Sequence, residues 1–274
     1  MLKRNQIAVL IYTIATLQVL GYCGKMWYEG SRLANFLFLN TNLSEATCLA
    51  VSKGSIVLLL ISVLWAFFQW SPWPFFALAC VFLIEAVSRT LLGGEFAVAY
   101  TLPAEAIRFV WLFGVAYALL LQRRVDIERS LPIVPFIFRV GLALTFATHG
   151  WEALQQHPSF VDLIIVGSQR LTSWAWSEAT ARNLLWVIGA IDLVAAVLVI
   201  SKPTRSLLIY MSLWGLITAV SRIIFSPEMG LYETLMRVSH TGVPLLVILL
   251  TPQLAPKRSE LARPLRFFRK SRAS

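Results

Sequence analysis

The sequence predicts an all-α, polytopic membrane protein with eight transmembrane helices arranged as two parallel four-helix bundle repeats. Three observations carry that prediction. The 274 residues are 58% hydrophobic and only 14% charged, with a mean hydropathy of +0.71, whereas a water-soluble globule carries about 25% charged residues. Apolar runs of membrane-crossing length recur along the chain, and one part of the sequence repeats in another.

The runs fall at about 7–24, 54–70, 73–93, 105–121, 132–150, 184–201, 205–225 and 234–251, each near the length a helix needs to cross the hydrocarbon. The first follows Lys3-Arg4 like a signal peptide but continues through Tyr22 without a small-x-small cleavage site, so it reads as an uncleaved span. Tyr22 is also too bulky for the position before a lipidated cysteine, which argues against Leu20-Gly21-Tyr22-Cys23 as a lipoprotein box. Between the second and third spans, Pro72 and Pro74 end one helix and start the next. Cys23, Cys48 and Cys80 form neither a CxxC pair nor a Cys/His zinc spacing.

Charge sets the expected orientation. With both termini inside, the cytoplasmic segments hold 14 Lys/Arg against Asp126, Glu128 and Glu260, while the rest of the chain nets −1; the positive-inside rule thus accounts for the whole +10. The basic tail 256–274, with Phe267 and Phe268 among its cations, suits the anionic leaflet of a bilayer and is not a nucleic-acid site. A multi-pass protein of the bacterial inner membrane with cytoplasmic termini is the resulting expectation.

Ser44-Glu45-Ala46-Thr47 recurs as Ser177-Glu178-Ala179-Thr180, and Ala86-Val87-Ser88-Arg89 as Ala219-Val220-Ser221-Arg222, both at an offset of 133. The same frame aligns Glu95 with Glu228, and small shifts align Gly24 with Gly150 and Arg108 with Arg237. Two four-span units, 1–126 and 127–255, follow. An even number of spans per unit makes them parallel and excludes an inverted-repeat carrier. The longer outer loop of the second unit contains Phe160 to Val166, too short to span and expected to lie across the outer end of the bundle as a lid. A broken helix at the midplane of both halves, the mark of many carriers, is not visible.

Ionisable residues inside the spans are costly unless paired or lining a cavity, and they nominate a site. Asp192 lies within the sixth span, with Leu59 at the matching position of the first unit, so it reads either as part of a site or as an interhelical bond; Arg139 is its expected partner. His149 and His240 belong only to the second half. With Glu152, Arg222, Glu228, Glu233 and Arg237 they form an outward-facing polar cluster. Glu233 and Arg237 are spaced to pair on one helix face, as are Glu85 and Arg89. Three readings stand for the two histidines: hydrogen-bonded structural residues, proton carriers or ligands at a quinone or other small-molecule site, and axial ligands of a haem. No metal-ligand motif, phosphate loop or nucleophile triad is present in the sequence.

The stretch Phe138-Arg139 through His149-Gly150-Trp151-Glu152, followed by Gly189-Ala190-Ile191-Asp192, resembles the DoxX/DoxD-like family of four-span membrane proteins. The resemblance rests on Arg139, His149, Gly150, Gly189 and Asp192, covers about 127–251, and would make this chain a tandem member. It departs at Ala153, where a lysine is usual. Some relatives are membrane subunits of quinone-linked oxidoreductases, and with the polar cluster this leads to the expectation of such a subunit, with His149, His240 and Asp192 as the reactive groups and Arg139, Glu152, Arg222 and Arg237 around the ligand. Other membrane or periplasmic subunits are then expected partners, and quinone is favoured over haem. The alternatives are a structural or accessory subunit of a membrane complex, a lipid-binding bundle, or a small-solute carrier.

Overall fold

The computed structural model describes residues 4–93, 98–122, 132–251 and 254. The segments on which the tail, Glu95 and the basic loop with Arg123, Arg124 and Arg129 fall lie outside them. Among the described residues there are eleven helices and no strand: α1 (Arg4–Glu29), α2 (Arg32–Asn40), α3 (Glu45–Phe68), α4 (Pro72–Leu92), α5 (Val98–Gln122), α6 (Ile133–Leu154), α7 (Pro158–Thr172), α8 (Glu178–Ser201), α9 (Arg205–Phe225), α10 (Pro227–Met236) and α11 (Val238–Leu250). Eight segments are long and apolar enough to cross a membrane, as a multi-pass membrane protein requires.

The helices overrun the apolar runs at the α7 end of the bundle. The sixth span starts at Glu178, where the Ser177 side chain caps the helix, and the eighth at Pro227, whose ring presets the first helical turn and has no amide to satisfy. Ser44 and Ser177 adopt nearly identical conformations, φ −68° ψ 153° and φ −67° ψ 153°, and accept from the amides of Thr47 and Thr180 at 3.3 and 3.2 Å. The recurring tetrapeptide is thus the same cap used twice.

Helix packing follows a recurring pattern. In the first half α1 packs on α3, α3 on α4 and α4 on α5, with α2 laid against α3 and α4; in the second, α6 packs on α8, α8 on α9 and α9 on α10 and α11, with α7 against α8 and α9. The halves meet reciprocally, α5 against α6 and α1 against α10 and α11. Helix α5 carries Pro103 in its interior, which interrupts the backbone ladder. One turn on, the Ile107 amide donates to Thr145 Oγ1 of α6 at 3.1 Å, a hydrogen bond that ties the halves together.

Glycine brings the site-bearing helices close. A methyl group on Gly150 would lie 2.9 Å from the Gly189 carbonyl oxygen, and one on Gly189 would lie 2.6 Å from that of Gly150. Helices α6 and α8 therefore cross backbone to backbone, as small residues permit in a membrane. Gly215 meets the His240 carbonyl in the same manner, at 2.6 Å from its would-be methyl. Helix α3 instead turns Gly54 into open space.

Substituting Gly189 with leucine is therefore expected to cost about 1–3 kcal/mol through overpacking, read as a lowered unfolding temperature in detergent. Gly54→Ala should be neutral or stabilising by up to about 1 kcal/mol, the helix-propensity gain.

Candidate functional site

A cavity of about 480 Å³ opens between α6, α7, α8, α9 and the α10–α11 junction, a volume in the range of small-molecule sites. His149, His240, Asp192, Arg222 and Arg237, chosen from sequence, all line it. Helix α7 supplies much of the apolar wall. Phe160, Leu163, Ile164, Gly167, Ser168, Leu171 and Thr172 face the cavity, the three-and-four spacing of one helix face. On its other side Val161 packs into a small cluster with Ala153, Ala181 and Leu185. The helix is pinned at its far end by Arg170, which donates to the Ile224 carbonyl of α9 at 2.6 Å. The lid expected in the outer loop is thus a helix that walls a cavity, and His157 caps it by accepting from the Ser159 amide at 3.1 Å.

At the polar end, His149 of α6 and His240 of α11 face each other with ring centroids 6.4 Å apart. Glu152, three residues along α6, lies 3.0 Å from His149 Nδ1 through Oε2, which orients the ring and leaves Nε2 as its other functional atom. His240 is 6% exposed and its Nε2 has no hydrogen-bond partner. Asp192, 4% exposed, has Tyr210 and Trp214 of α9 beside it while its Oδ1 is unpartnered. Unpartnered buried polar atoms are rare in native folds and mark places where a ligand or water belongs.

The eighth span is broken at this point. Arg237, at φ −95° ψ 5°, separates α10 from α11, and the His240 amide bonds to the Arg237 carbonyl at 2.9 Å to restart the helix. Among the described residues the break falls in the second half alone, so the expectation that no broken helix stands at the midplane of both halves is untouched. Arg237 and His240 both line the cavity.

Two sequence expectations change. Asp192 lies against Gly150, its Cβ 3.0 Å from a methyl placed there. Arg139 is eleven residues earlier on α6, about 16 Å away at 1.5 Å per residue, and is neither Asp192's partner nor part of the cavity wall. Its guanidinium lies over the Phe136 ring at 5.4 Å. Glu85 and Arg89 do not pair along α4. Arg89 reaches across to Glu105 of α5, and Glu85 accepts from the Arg32 amide at 2.7 Å. The turn that brings α2 back over α4 provides Glu85 with a donor, and Glu105 is a buried acid that needs a cation. Glu233 and Arg237 do pair, at 3.2 Å, and Lys25 of α1 joins Glu233 at 2.8 Å. Glu152 supports the site without lining the cavity.

Sequence reasoning missed Glu105, which binds both Arg108 and Arg89, and Lys25. Its signals were present: Glu105 precedes Arg108 by one helical turn, and the repeat aligns Arg108 with Arg237. Gln18 of α1 completes the first-half side, donating to the Arg108 carbonyl at 2.6 Å and accepting from the Trp111 indole at 3.2 Å. Arg108 and Arg237 both act electrostatically on His240, so the charged residues of the two halves form one cluster. No protein-family model, curated protein or solved structure matches the chain.

Glu105→Gln would leave Arg108 and Arg89 without their carboxylate. The expected loss is about 3–5 kcal/mol, the cost of stranding a buried charge, seen as a large drop in unfolding temperature or in folded yield. Removing the exposed partner of Arg182 with Glu178→Gln should leave the unfolding temperature nearly unchanged.

Proposed function

We propose that this chain is a tandem DoxX/DoxD-like protein of the bacterial inner membrane, with both termini cytoplasmic, and that it serves as the membrane subunit of a quinone-linked oxidoreductase. The observation that carries the reading is the pairing of a carboxylate-backed histidine with an unpartnered histidine at the polar end of an apolar cavity. A quinone, when bound, supplies electron transfer coupled to protonation of its ring oxygens, and its acceptors match the donors available here.

In this reading His149 exchanges a proton through Nε2 while Glu152 holds the ring. His240 Nε2 and the guanidinium of Arg237 fix the head group, and Arg222 faces it from α9. Thr145 and Thr218 add hydroxyls to the wall. The lid helix α7 and Trp214 exclude water and cover the apolar part of the ligand. Asp192 stands apart from the cations, beside Tyr210 and Trp214, as a second polar contact.

A second reading, a bundle that holds a lipid without redox chemistry, is favoured by the extent of the apolar α7 wall. Organic extraction and mass spectrometry of the protein in mild detergent separate the two: near-stoichiometric quinone without a Soret band is expected. Bulk lipid alone would leave the lipid-binding bundle, and a Soret band lost in His149→Ala or His240→Ala would make the histidines haem ligands. Gly167→Phe offers a sharper control, since the space around Gly167 is open and its position lines the cavity. That variant should keep its unfolding temperature and lose the extracted ligand. Glu152→Gln should retain quinone but slow quinol turnover by about 10²-fold or more, the loss typical of impaired proton transfer.

A further inference from the structure

The cations that line the polar end of the cavity specify more about the ligand than its apolarity does. Arg222 and Arg237 line that end, and Lys25, Arg89 and Arg108 belong to the adjoining ion-pair cluster. Glu105 serves Arg89 and Arg108, and Glu233 serves Lys25 and Arg237. Glu152 is taken by His149. Arg222 has no ion pair among the described residues, its Nε has no hydrogen-bond partner, and it lines the cavity. Glu233 acts on Arg222 electrostatically but is already shared by two closer cations.

Helix α10 ends and α11 begins at Arg237, so opposite dipole ends meet there and the side chains carry the charge of the site. His240, 6% exposed, presents its unpartnered Nε2 at the same place, and the Ser239 hydroxyl next to it is fully buried and also unpartnered. An unpaired guanidinium and an unpartnered imidazole nitrogen on the wall of an apolar cavity suit a ligand group that carries negative charge.

We infer that the cavity takes an amphiphile whose head group is an oxyanion, seated between Arg222 and the start of α11, with its apolar body along α7 and Trp214. This rests on the cavity being the ligand site proposed above and narrows its ligand: among quinones it selects those with an acidic ring hydroxyl over neutral ones. The same oxyanion chemistry is offered by the carboxylate of a long-chain fatty acid.

The test uses the full-length protein in detergent at pH 7 with three probes: a 3-alkyl-2-hydroxy-1,4-naphthoquinone, which is ionised and coloured, its neutral 2-O-methyl ether, and palmitate. The hydroxyl probe should bind at least about tenfold more tightly than its ether, since a charge-assisted hydrogen bond is lost with the charge. On acid titration the bound probe should keep the visible spectrum of its anion below the pH at which the free probe loses it. Arg222→Gln should abolish the preference and Arg222→Lys should preserve most of it. Equal affinity for the probe and its ether in the wild-type protein would overturn the inference while leaving a quinone site standing, and that comparison needs no variant to fold. Tight binding of palmitate with the same dependence on Arg222, with neither naphthoquinone bound, would uphold the oxyanion site and remove the quinone reading.

Discussion

Two carboxylates, Glu105 and Glu233, each hold two cations in a cluster shared by both halves of the bundle. A guanidinium buried without a counter-charge is costly, so those acids draw Arg89, Arg108, Lys25 and Arg237 together. The helices that carry them are thereby brought to one place: α1 reaches α10 through Lys25, and α4 reaches α5 through Arg89. Arg222 lies outside this pairing, on the cavity wall. The charge that makes the site suited to an acidic or acceptor-rich head group is the remainder of this arrangement.

Close backbone contact provides the second constraint. Gly150 and Gly189 let α6 and α8 touch, which carries Asp192 up to the level of His149 and away from Arg139. Gly215 does the same between α9 and α11, setting His240 against the helix that bears Trp214 and Arg222. Because these crossings occur near the α7 end, the helices diverge enough on one side to leave a cavity, and α7 walls it with a single apolar face. The break at Arg237 then turns two residues of one span toward that cavity. A continuous helix would present Arg237 and His240 three positions apart along one face, without a helix start between them.

The two halves use the same parts to different ends. Both have a Ser-Glu-Ala-Thr cap, a short helix folded over the second and third spans, and an arginine at the end of the third. In the first half the corresponding arginine, Arg89, is neutralised by Glu105, and the position matching Asp192 is the fully buried Leu59. In the second, Arg222 is free and Asp192 faces a cavity. Unpartnered buried polar atoms occur in both halves, Glu85 Oε1 and Arg108 Nε in the first among them, but those of Asp192, Arg222 and His240 in the second belong to residues that line the cavity.

Composition and the spacing of apolar runs determined the fold class, because hydrocarbon admits so few ways of satisfying a backbone. The repeated tetrapeptides located equivalent caps, and isolated polar residues in apolar spans named five of the groups that line the cavity. Helix ends were less legible: α2 and the first turns of α8 and α10 are too polar to register as membrane segments, yet caps and packing hold them helical. Pairing was not legible at all where the partner lies on another helix. Glu85 and Arg89 have the spacing of an ion pair and part company, and Arg139 and Asp192 are a natural pair by charge, but Asp192 lies at the glycine crossing and Arg139 eleven residues along α6 from it. Sequence spacing specifies which groups share a helix face; which of them meet across helices depends on the depth at which the helices cross, and only the tertiary packing sets that depth.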